Sequence, residues 1–152
     1  MTLMVYVCKL DIKEGGIMIR KTDYALRILR TLSDGGLYSM KALCASECIP
    51  QPFAYKIVAL LRNAGLVQSL PGSKGGCRLA GDLRDFTLLD LIRLIEEDEA
   101  INLCLREGHC CEWTQAQNEP CRIHGALEDV QRKINAVYAS YTLHDLILGK
   151  TK

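Results

Sequence analysis

The chain has no long uninterrupted run of apolar residues. A membrane-spanning helix needs roughly 18 to 20 of them in succession, and the 152-residue sequence contains no such stretch. The first residues also lack the basic segment followed by an apolar stretch that marks a secretory signal. We therefore expect a protein of the cytoplasm that has no membrane partner.

Residue combinations that carry enzymatic catalysis are also missing. No nucleophile stands next to a base, no loop has the pattern of a phosphate cradle, and no carboxylates are paired at a usable spacing. The chain is therefore not expected to be an enzyme. Its 49% hydrophobic and 24% charged residues are ordinary for a globular protein that buries a core.

The near-neutral total charge hides an uneven distribution. Residues 18–79 contain nine lysines and arginines against three acids, a balance of +6, whereas residues 80–152 balance at −5. A basic half is the electrostatic footprint of a nucleic-acid contact. A solvated surface with uneven charge is the alternative.

Residues 1–17 match no pattern that follows them. They end in Lys13-Glu14-Gly15-Gly16, whose codons can spell a purine-rich ribosome-binding sequence, and a regular pattern starts at Met18. We interpret residues 1–17 as a translated leader or disordered tail, with Met18 as the native start. A genuine flexible arm is the alternative.

Residues 18–82 have the element order of a winged helix-turn-helix DNA-binding domain. Apolar residues at helical spacing predict a first helix capped by Thr22, a short second helix capped by Ser39 and a third helix over 53–64. A β-hairpin over 66–80 follows as the wing. The expected fold class is mainly α, with this small hairpin and a long dimerisation helix later in the chain.

The third helix is expected to lie in the major groove of double-stranded DNA, with its first residues facing base edges. Those residues include Gln51, Phe53, Tyr55 and Lys56. Other basic residues are expected to contact phosphates, which position a protein without specifying sequence. They are Lys21, Lys41, Arg62, Lys74 and Arg78.

A connecting helix is predicted within residues 83–101; it starts at a capped Thr87 and closes on an acidic, solvated run. Residues 102–120 then show no regular period, as functional loops often do. Thiols and imidazoles are concentrated here and just beyond: Cys104, His109, Cys110, Cys111, Cys121 and His124. Such donors suit zinc or an iron–sulfur cluster, and a redox disulfide or free thiols are the alternatives.

Three further cysteines lie in the basic half of the chain. Cys44 and Cys48 stand four apart on the predicted second helix, and Cys77 lies on the return strand of the wing. Because free cysteine behaves as a small apolar residue in protein interiors, we interpret all three as core residues.

Residues 121–152 are predicted to contain a long helix that pairs two copies of the chain and a short final helix capped by Thr142. Apolar residues alternate at intervals of four and three, which is typical of the seam of a coiled-coil-like pair. Packing of this seam on the chain's own body is the alternative. The seam residues are Ile123, Leu127, Val130, Ile134, Val137 and Tyr141.

Together, residues 18–148 resemble the Rrf2 (Rrf-two) family of bacterial winged-helix transcription regulators. The cysteine loop is part of the resemblance. The other matching motifs are Thr22-Asp23-Tyr24-Ala25-Leu26-Arg27, the stretches 60–67 and 86–92, the wing glycines Gly75-Gly76 and the closing stretch 141–146.

The resemblance implies a cofactor. In the iron–sulfur members, IscR and NsrR, three loop cysteines hold a 2Fe–2S or 4Fe–4S cluster. By that likeness Cys104, Cys110 and Cys121 are the ligands here, with Cys111 as the alternative to its neighbour. The fourth ligand would be His124, as in IscR-like members, or Asp23 of the other subunit, as in NsrR-like members.

Some positions depart from the family pattern. Ten residues separate Cys110 from Cys121, more than is usual. In the wing, Pro71 and Cys77 stand where an arginine and a tyrosine are usual, so Lys74 is expected to replace the arginine.

The function implied is that of a homodimeric repressor on a pseudo-palindromic operator. An iron–sulfur cluster that senses redox state, nitric oxide or iron–sulfur status would control its affinity. One alternative is a cluster-free regulator of the same fold that answers to a partner protein or metabolite, as CymR does. The other is a metal- or redox-handling protein without specific DNA binding.

Overall fold

The computed structural model describes residues 20–72, 74–96, 98–117 and 119–149, so the expectations for residues 1–17 and for Met18 lie outside it. The protein is mainly helical and carries a two-stranded antiparallel hairpin, as predicted. Its elements are α1 (Arg20–Leu32), α2 (Met40–Glu47), α3 (Gln51–Asn63), β1 (Val67–Leu70), β2 (Gly76–Leu79), α4 (Leu88–Glu96), a 3₁₀ turn (Leu103–Leu105), α5 (Glu112–Gln117), α6 (Arg122–Ala139) and α7 (Leu143–Leu148).

The winged-helix region is built around α1. Its residues Ala25, Ile28, Leu29 and Leu32 recur at helical spacing and are fully buried, which places one face of α1 in the core. Helices α2 and α3 pack on that face. Burying each leucine or isoleucine side chain stabilises the fold by roughly 1.5–3 kcal/mol, so the apolar spacing of α1 accounts for its position.

A buried carboxylate ties α2 to α1. Glu47 is 8% exposed, and its carboxylate accepts a hydrogen bond from Arg30 Nη2 at 2.6 Å and another from the Thr31 hydroxyl. A buried charge without such partners would cost several kcal/mol. The arrangement therefore fixes the end of α2 against the last turn of α1.

The wing is joined to the segment before α2. Strands β1 and β2 pair from Val67↔Leu79 to Leu70↔Gly76, and Cys77 exchanges two backbone hydrogen bonds with Tyr38, at 2.8 and 2.9 Å. A Cβ at Gly76 would overlap the Tyr38 carbonyl group. Glycine at this position is therefore required by the close approach of the two backbones.

The second half of the chain completes the same core. Leu91 and Ile95 of α4 are 1% exposed, and Leu143 of α7 is fully buried. The Leu143 N–H donates to the Phe86 carbonyl at 2.8 Å, which holds the start of α7 beside the start of α4. Helix α6 differs, because none of its residues is buried.

The predicted caps are confirmed at Ser39 and Thr142, whose side chains accept hydrogen bonds from the backbone N–H groups of Ala42 and Asp145. At Thr22 the prediction was wrong. Helix α1 already includes Arg20, and Thr22 lies inside its first turn with no exposed surface. Its hydroxyl donates to Glu96 on α4 and does not cap the helix.

Two other local predictions were also wrong. Cys48 is an exposed residue in the left-handed conformation, φ 54°, at the C-terminal cap of α2, and so it is not part of the core. The stretch 102–120, expected to be irregular, contains the 3₁₀ turn and α5. Cys44 and Cys77 are buried, as expected.

Candidate functional site

The residues predicted to contact DNA share one property. Lys21, Lys41, Gln51, Phe53, Tyr55, Lys56, Arg62, Lys74 and Arg78 are all exposed. Seven of them come from α2, α3 and the turn after β1. The basic side chains are thus available to phosphates, which only exposed side chains can reach.

The N-terminal half of α3 presents aromatic side chains to solvent. Phe53 is 46% exposed and Tyr55 is 57% exposed. Phe53 contacts Tyr24 of α1 edge to face, with ring centroids 6.1 Å apart, and the Arg27 guanidinium lies 6.0 Å from the Tyr24 ring centroid. The contact with Tyr24 restrains the Phe53 ring, which is the side chain suited to an apolar contact with a thymine methyl group.

A groove of about 570 Å³ separates α3 from the wing. Lys41, Tyr55 and Arg62 line it together with the wing residues Pro71 and Gly72. The structure therefore brings these three predicted DNA contacts to one groove. We call it the wing groove.

The remaining predicted contacts lie outside the lining of the wing groove. Arg78 on β2 donates two hydrogen bonds to Gln68 Oε1 across the hairpin, at 3.2 and 3.0 Å. This cross-strand partner restrains the guanidinium on the exposed face of the wing.

The cysteine loop is more structured than its sequence indicated. Cys104 lies in the 3₁₀ turn, where its backbone N–H donates to Asn102 Oδ1 at 3.1 Å, and this turn packs against α6. Cys121 is the N-terminal cap residue of α6. Two of the predicted ligands are therefore placed by the same helix.

Cys110 and Cys111 have different surroundings. Cys110 is exposed, whereas Cys111 is half-buried at the start of α5. The backbone N–H and then the hydroxyl of Thr114, with further help from the Trp113 N–H, bond to the Cys111 sulfur and lower the pKa of that thiol. Cys111 directly precedes the first residue of α5.

The two candidate fourth ligands are each paired with a charged neighbour on their own helix. Asp23 forms an ion pair with Arg27 at 2.8 Å, and His124 Nε2 lies 3.8 Å from Glu128 Oε1. Across residues 20–149, apart from the undescribed positions, no three side chains among His, Cys, Asp and Glu are gathered as metal ligands would be. The cysteines are free thiols: Cys104 lies in the 3₁₀ turn, Cys110 lies between elements, and Cys121 lies at the start of α6.

A polar cluster that the sequence did not predict holds the start of the loop. Gln131 of α6 accepts from the Ile101 N–H at 2.7 Å and donates to the Glu99 carbonyl at 3.1 Å. Asn135, one turn later, donates to the Glu99 carboxylate, which also pairs with Arg93 of α4. The acidic run is therefore partly engaged rather than solvated. The sequence did contain a signal for this cluster, because Gln131 and Asn135 stand four residues apart and therefore lie on one face of the helix.

The apolar seam of α6 faces solvent in a single chain. Ile123 is 70% exposed, Val137 57%, Val130 43% and Tyr141 37%, while Leu127 and Ile134 are half-buried. Exposed large apolar side chains in a row mark an interaction surface.

A family model gives the chain its place among known proteins. The model for Rrf2, described as an iron-dependent transcriptional regulator, matches residues 18–148. The chain belongs to the Rrf2 family. Members of this family similar to the chain are DNA-binding transcription regulators and not enzymes. Within the described chain, none of the helices combines the length and apolar character needed to cross a bilayer.

Individual Rrf2 relatives agree with this assignment. The chain is 29% identical over 133 residues to the transcriptional regulator NsrR of Bacillus subtilis, covering 85% of this chain and 88% of the relative. IscR of T. potens superposes with a TM-score of 0.63 at 25% identity, covering 86% of this chain and 85% of that one. CymR, the global cysteine regulator of B. subtilis, gives 0.65 at 25% identity, covering 88% and 98%.

Proposed function

We propose that the protein is a homodimeric repressor whose affinity for a pseudo-palindromic operator is set by an iron–sulfur cluster in the cysteine loop. The observation that carries the proposal is a pair of free thiols at the helix that also presents an apolar seam: Cys121 caps α6, and Cys104 lies in the 3₁₀ turn that packs against it. The NsrR and IscR likenesses support the same reading.

The donor chemistry fits such a cluster. Cys104, Cys110 and Cys121 are free and none is fully buried, so thiolates can form and ligate without first breaking a disulfide. When bound, the cluster would supply a centre that changes with oxidation or nitric oxide. The chain itself positions the ligands. Cys121 caps α6, and Cys104 lies in the 3₁₀ turn that packs against the same helix.

Of the two adjacent cysteines, Cys110 is the better candidate for the second ligand. The Cys111 sulfur already faces the N–H and hydroxyl of Thr114, and ligation there would compete with these two donors. Cys110 is exposed. The fourth position stays open between His124, on the first turn of α6, and Asp23 of a second copy.

The dimer would form through the α6 seams. Paired seams would remove Ile123, Val130 and Val137 from water, at a gain of about 25 cal/mol for each Å² of apolar surface buried. Two copies would then present two α3 helices to DNA, as winged-helix dimers do on half-sites spaced by a turn of the duplex. A change at the loop would act through α6, which bears both the loop contacts and the seam.

The direct test is purification without oxygen followed by iron and sulfide analysis. We expect a coloured protein whose visible absorption disappears in Cys104→Ala and Cys110→Ala but remains in Cys111→Ala. Cys48→Ala, which removes an exposed thiol outside the loop, is the matched control and should keep the colour. An iron-free, colourless protein after anaerobic reconstitution would overturn the proposal.

A cluster-free regulator is the second candidate function. It is favoured by the CymR likeness and by α5, which fills the long spacing between Cys110 and Cys121 with regular structure. Under this reading the protein binds its operator equally well with and without iron, and a partner protein or metabolite alters the affinity. Operator binding by the iron-free and reconstituted forms separates the two candidates.

A further inference from the structure

Two sulfur-bearing side chains meet where α2 packs beside the wing, and a third lies one helical turn along α2, far along the chain from the cysteine loop. Cys77 Sγ on β2 lies 4.0 Å from Met40 Sδ on α2. Cys44 follows Met40 by one helical turn, so both project from the same face of α2. Cys77 is 1% exposed and Cys44 8% exposed, which makes this a shielded cluster of soft atoms.

The two thiols lie within electrostatic reach of each other. Burial is the main cause that raises the pKa of Cys77, and the charge of Cys44 raises it further. Burial also raises the pKa of Cys44. A raised pKa disfavours the thiolate form, which argues against a role as nucleophiles.

The spacing suits a metal ion held by sulfur. Two ligands with metal–sulfur bonds of about 2.3 Å in a trigonal site are separated by roughly 4 Å, the separation of Cys77 Sγ and Met40 Sδ. Thiolate together with thioether selects Cu(I) among biological metals, whereas Zn²⁺ takes four ligands from Cys, His and carboxylates. The donor set therefore points to a soft monovalent cation.

The cluster also has an entry path. Met40 and Cys77 both line the wing groove, beside Gly75 and Gly76, and this groove is the side from which an ion would approach. The Tyr38 carbonyl oxygen accepts from the Cys77 thiol at 3.6 Å and would be released when that proton leaves. For Cys77 and Met40 the structure thus shows soft ligands, a suitable separation, an outer contact and access from the groove, and Cys44 supplies a third sulfur on the same face of α2.

We propose that Cys44, Cys77 and Met40 form a Cu(I) site between α2 and the wing. Binding forms two Cu–thiolate bonds and one Cu–thioether bond and releases two protons to solvent, with no change of oxidation state. The bound centre carries one negative charge, which Lys41 and Arg62 on the same groove offset. The site is independent of the iron–sulfur proposal, but it would link copper to the DNA-facing surface.

The test uses the full-length chain with the other candidate thiols removed by Cys8→Ser, Cys104→Ser, Cys110→Ser, Cys111→Ser and Cys121→Ser. Cu(I) is titrated anaerobically against a chromogenic Cu(I) chelator. We expect one tightly bound Cu(I) per chain. Adding Cys48→Ser, the matched control on α2, should leave it in place, whereas Cys77→Ser should remove it.

Met40→Leu is the second variant, because it keeps volume in the core and should not unfold the protein. We expect it to weaken Cu(I) binding at least tenfold while the thermal unfolding transition stays close to that of the background chain. In wild-type protein the same substitution should lower the number of tightly bound Cu(I) ions by one. No binding in the background chain, dependence on Cys48, or unchanged affinity in Met40→Leu would each overturn the proposal.

Discussion

The Glu96 carboxylate accepts hydrogen bonds from the backbone N–H and the hydroxyl of Thr22, at 3.0 and 2.6 Å, across 74 positions of sequence. The first N–H groups of a helix have no partner within the helix, and a residue of another helix supplies one here. The end of α4 therefore holds the beginning of α1. Glu96 Oε2 is buried and has no hydrogen-bond partner in the described chain.

Removing this contact should destabilise the protein without unfolding it. We expect Glu96→Ala to lower the free energy of unfolding by about 1–3 kcal/mol, because the Thr22 N–H and hydroxyl lose a charged acceptor. Urea denaturation followed by circular dichroism measures the change. Glu107→Ala, at an exposed carboxylate in the cysteine loop, should alter stability by less than about 0.5 kcal/mol. Equal effects of the two substitutions would show that the contact contributes nothing.

The start of α4 should respond to acid. The hydroxyl and then the backbone N–H of Thr87 hold the pKa of Asp90 below its ordinary value, so this contribution to stability is present above that ordinary value. It is lost as pH falls through the lowered pKa of the folded state.

Wild-type protein should consequently lose more stability than Asp90→Asn between about pH 5 and pH 3, where Asp carboxyls titrate. Urea midpoints across this range measure the difference. Asp85→Asn, at an exposed carboxylate without a hydrogen bond in the described chain, should keep the wild-type dependence. If Asp90→Asn has the same pH profile as wild type, the carboxylate does not stabilise α4.

Arg62 and Tyr55, which line the same groove, should affect DNA binding differently. Arg62→Ala should weaken binding to operator and unrelated DNA alike and reduce the slope of log affinity against log salt by about 1, because a phosphate contact is lost. Tyr55→Ala should mainly reduce the preference for operator over unrelated DNA, by about 1–3 kcal/mol.

Gel-shift titrations on the protein's own promoter region at several salt concentrations provide these values. Lys133→Ala removes an exposed cation from α6 and should change neither property. An unchanged salt slope in Arg62→Ala would remove this residue from the interface.

The seam of α6 should control assembly. Val130→Glu places a charge in the middle of the proposed seam and should convert a particle of about twice the 17.0 kDa chain mass into one of that mass. Light scattering after size exclusion measures this. Arg132→Glu changes an exposed position on the same helix and should leave the mass of the assembly unchanged. A wild-type mass of one chain would exclude the dimer.

Local patterns predicted most of the winged-helix region, because its elements depend on apolar spacing and side-chain caps that are written within a few residues. Ser39, the burial of Cys77 and the hairpin are examples. Thr22 was misread because its partner lies on a helix 74 positions away. No short-range pattern encodes such a pairing.

The composition of the cysteine loop predicted its candidate ligands, but its secondary structure was predicted only in part. The thiols identify candidate ligands, but α5 has only six residues, too few for a helical period to show in the sequence. Cys48 was assigned to the core because its spacing from Cys44 suggested a shared face. The helix ends at Glu47, so Cys48 leaves that face and is exposed.

The position of α5 has an optical consequence. Trp113 is the chain's one tryptophan, and it lies on α5, 49% exposed, between Cys111 and Cys121. Its emission therefore reports the surroundings of the cysteine loop alone, while the winged helix contributes only tyrosine. Unlabelled protein thus carries a fluorophore of its own at the proposed sensor, and the loop can be followed in real time while DNA is bound elsewhere.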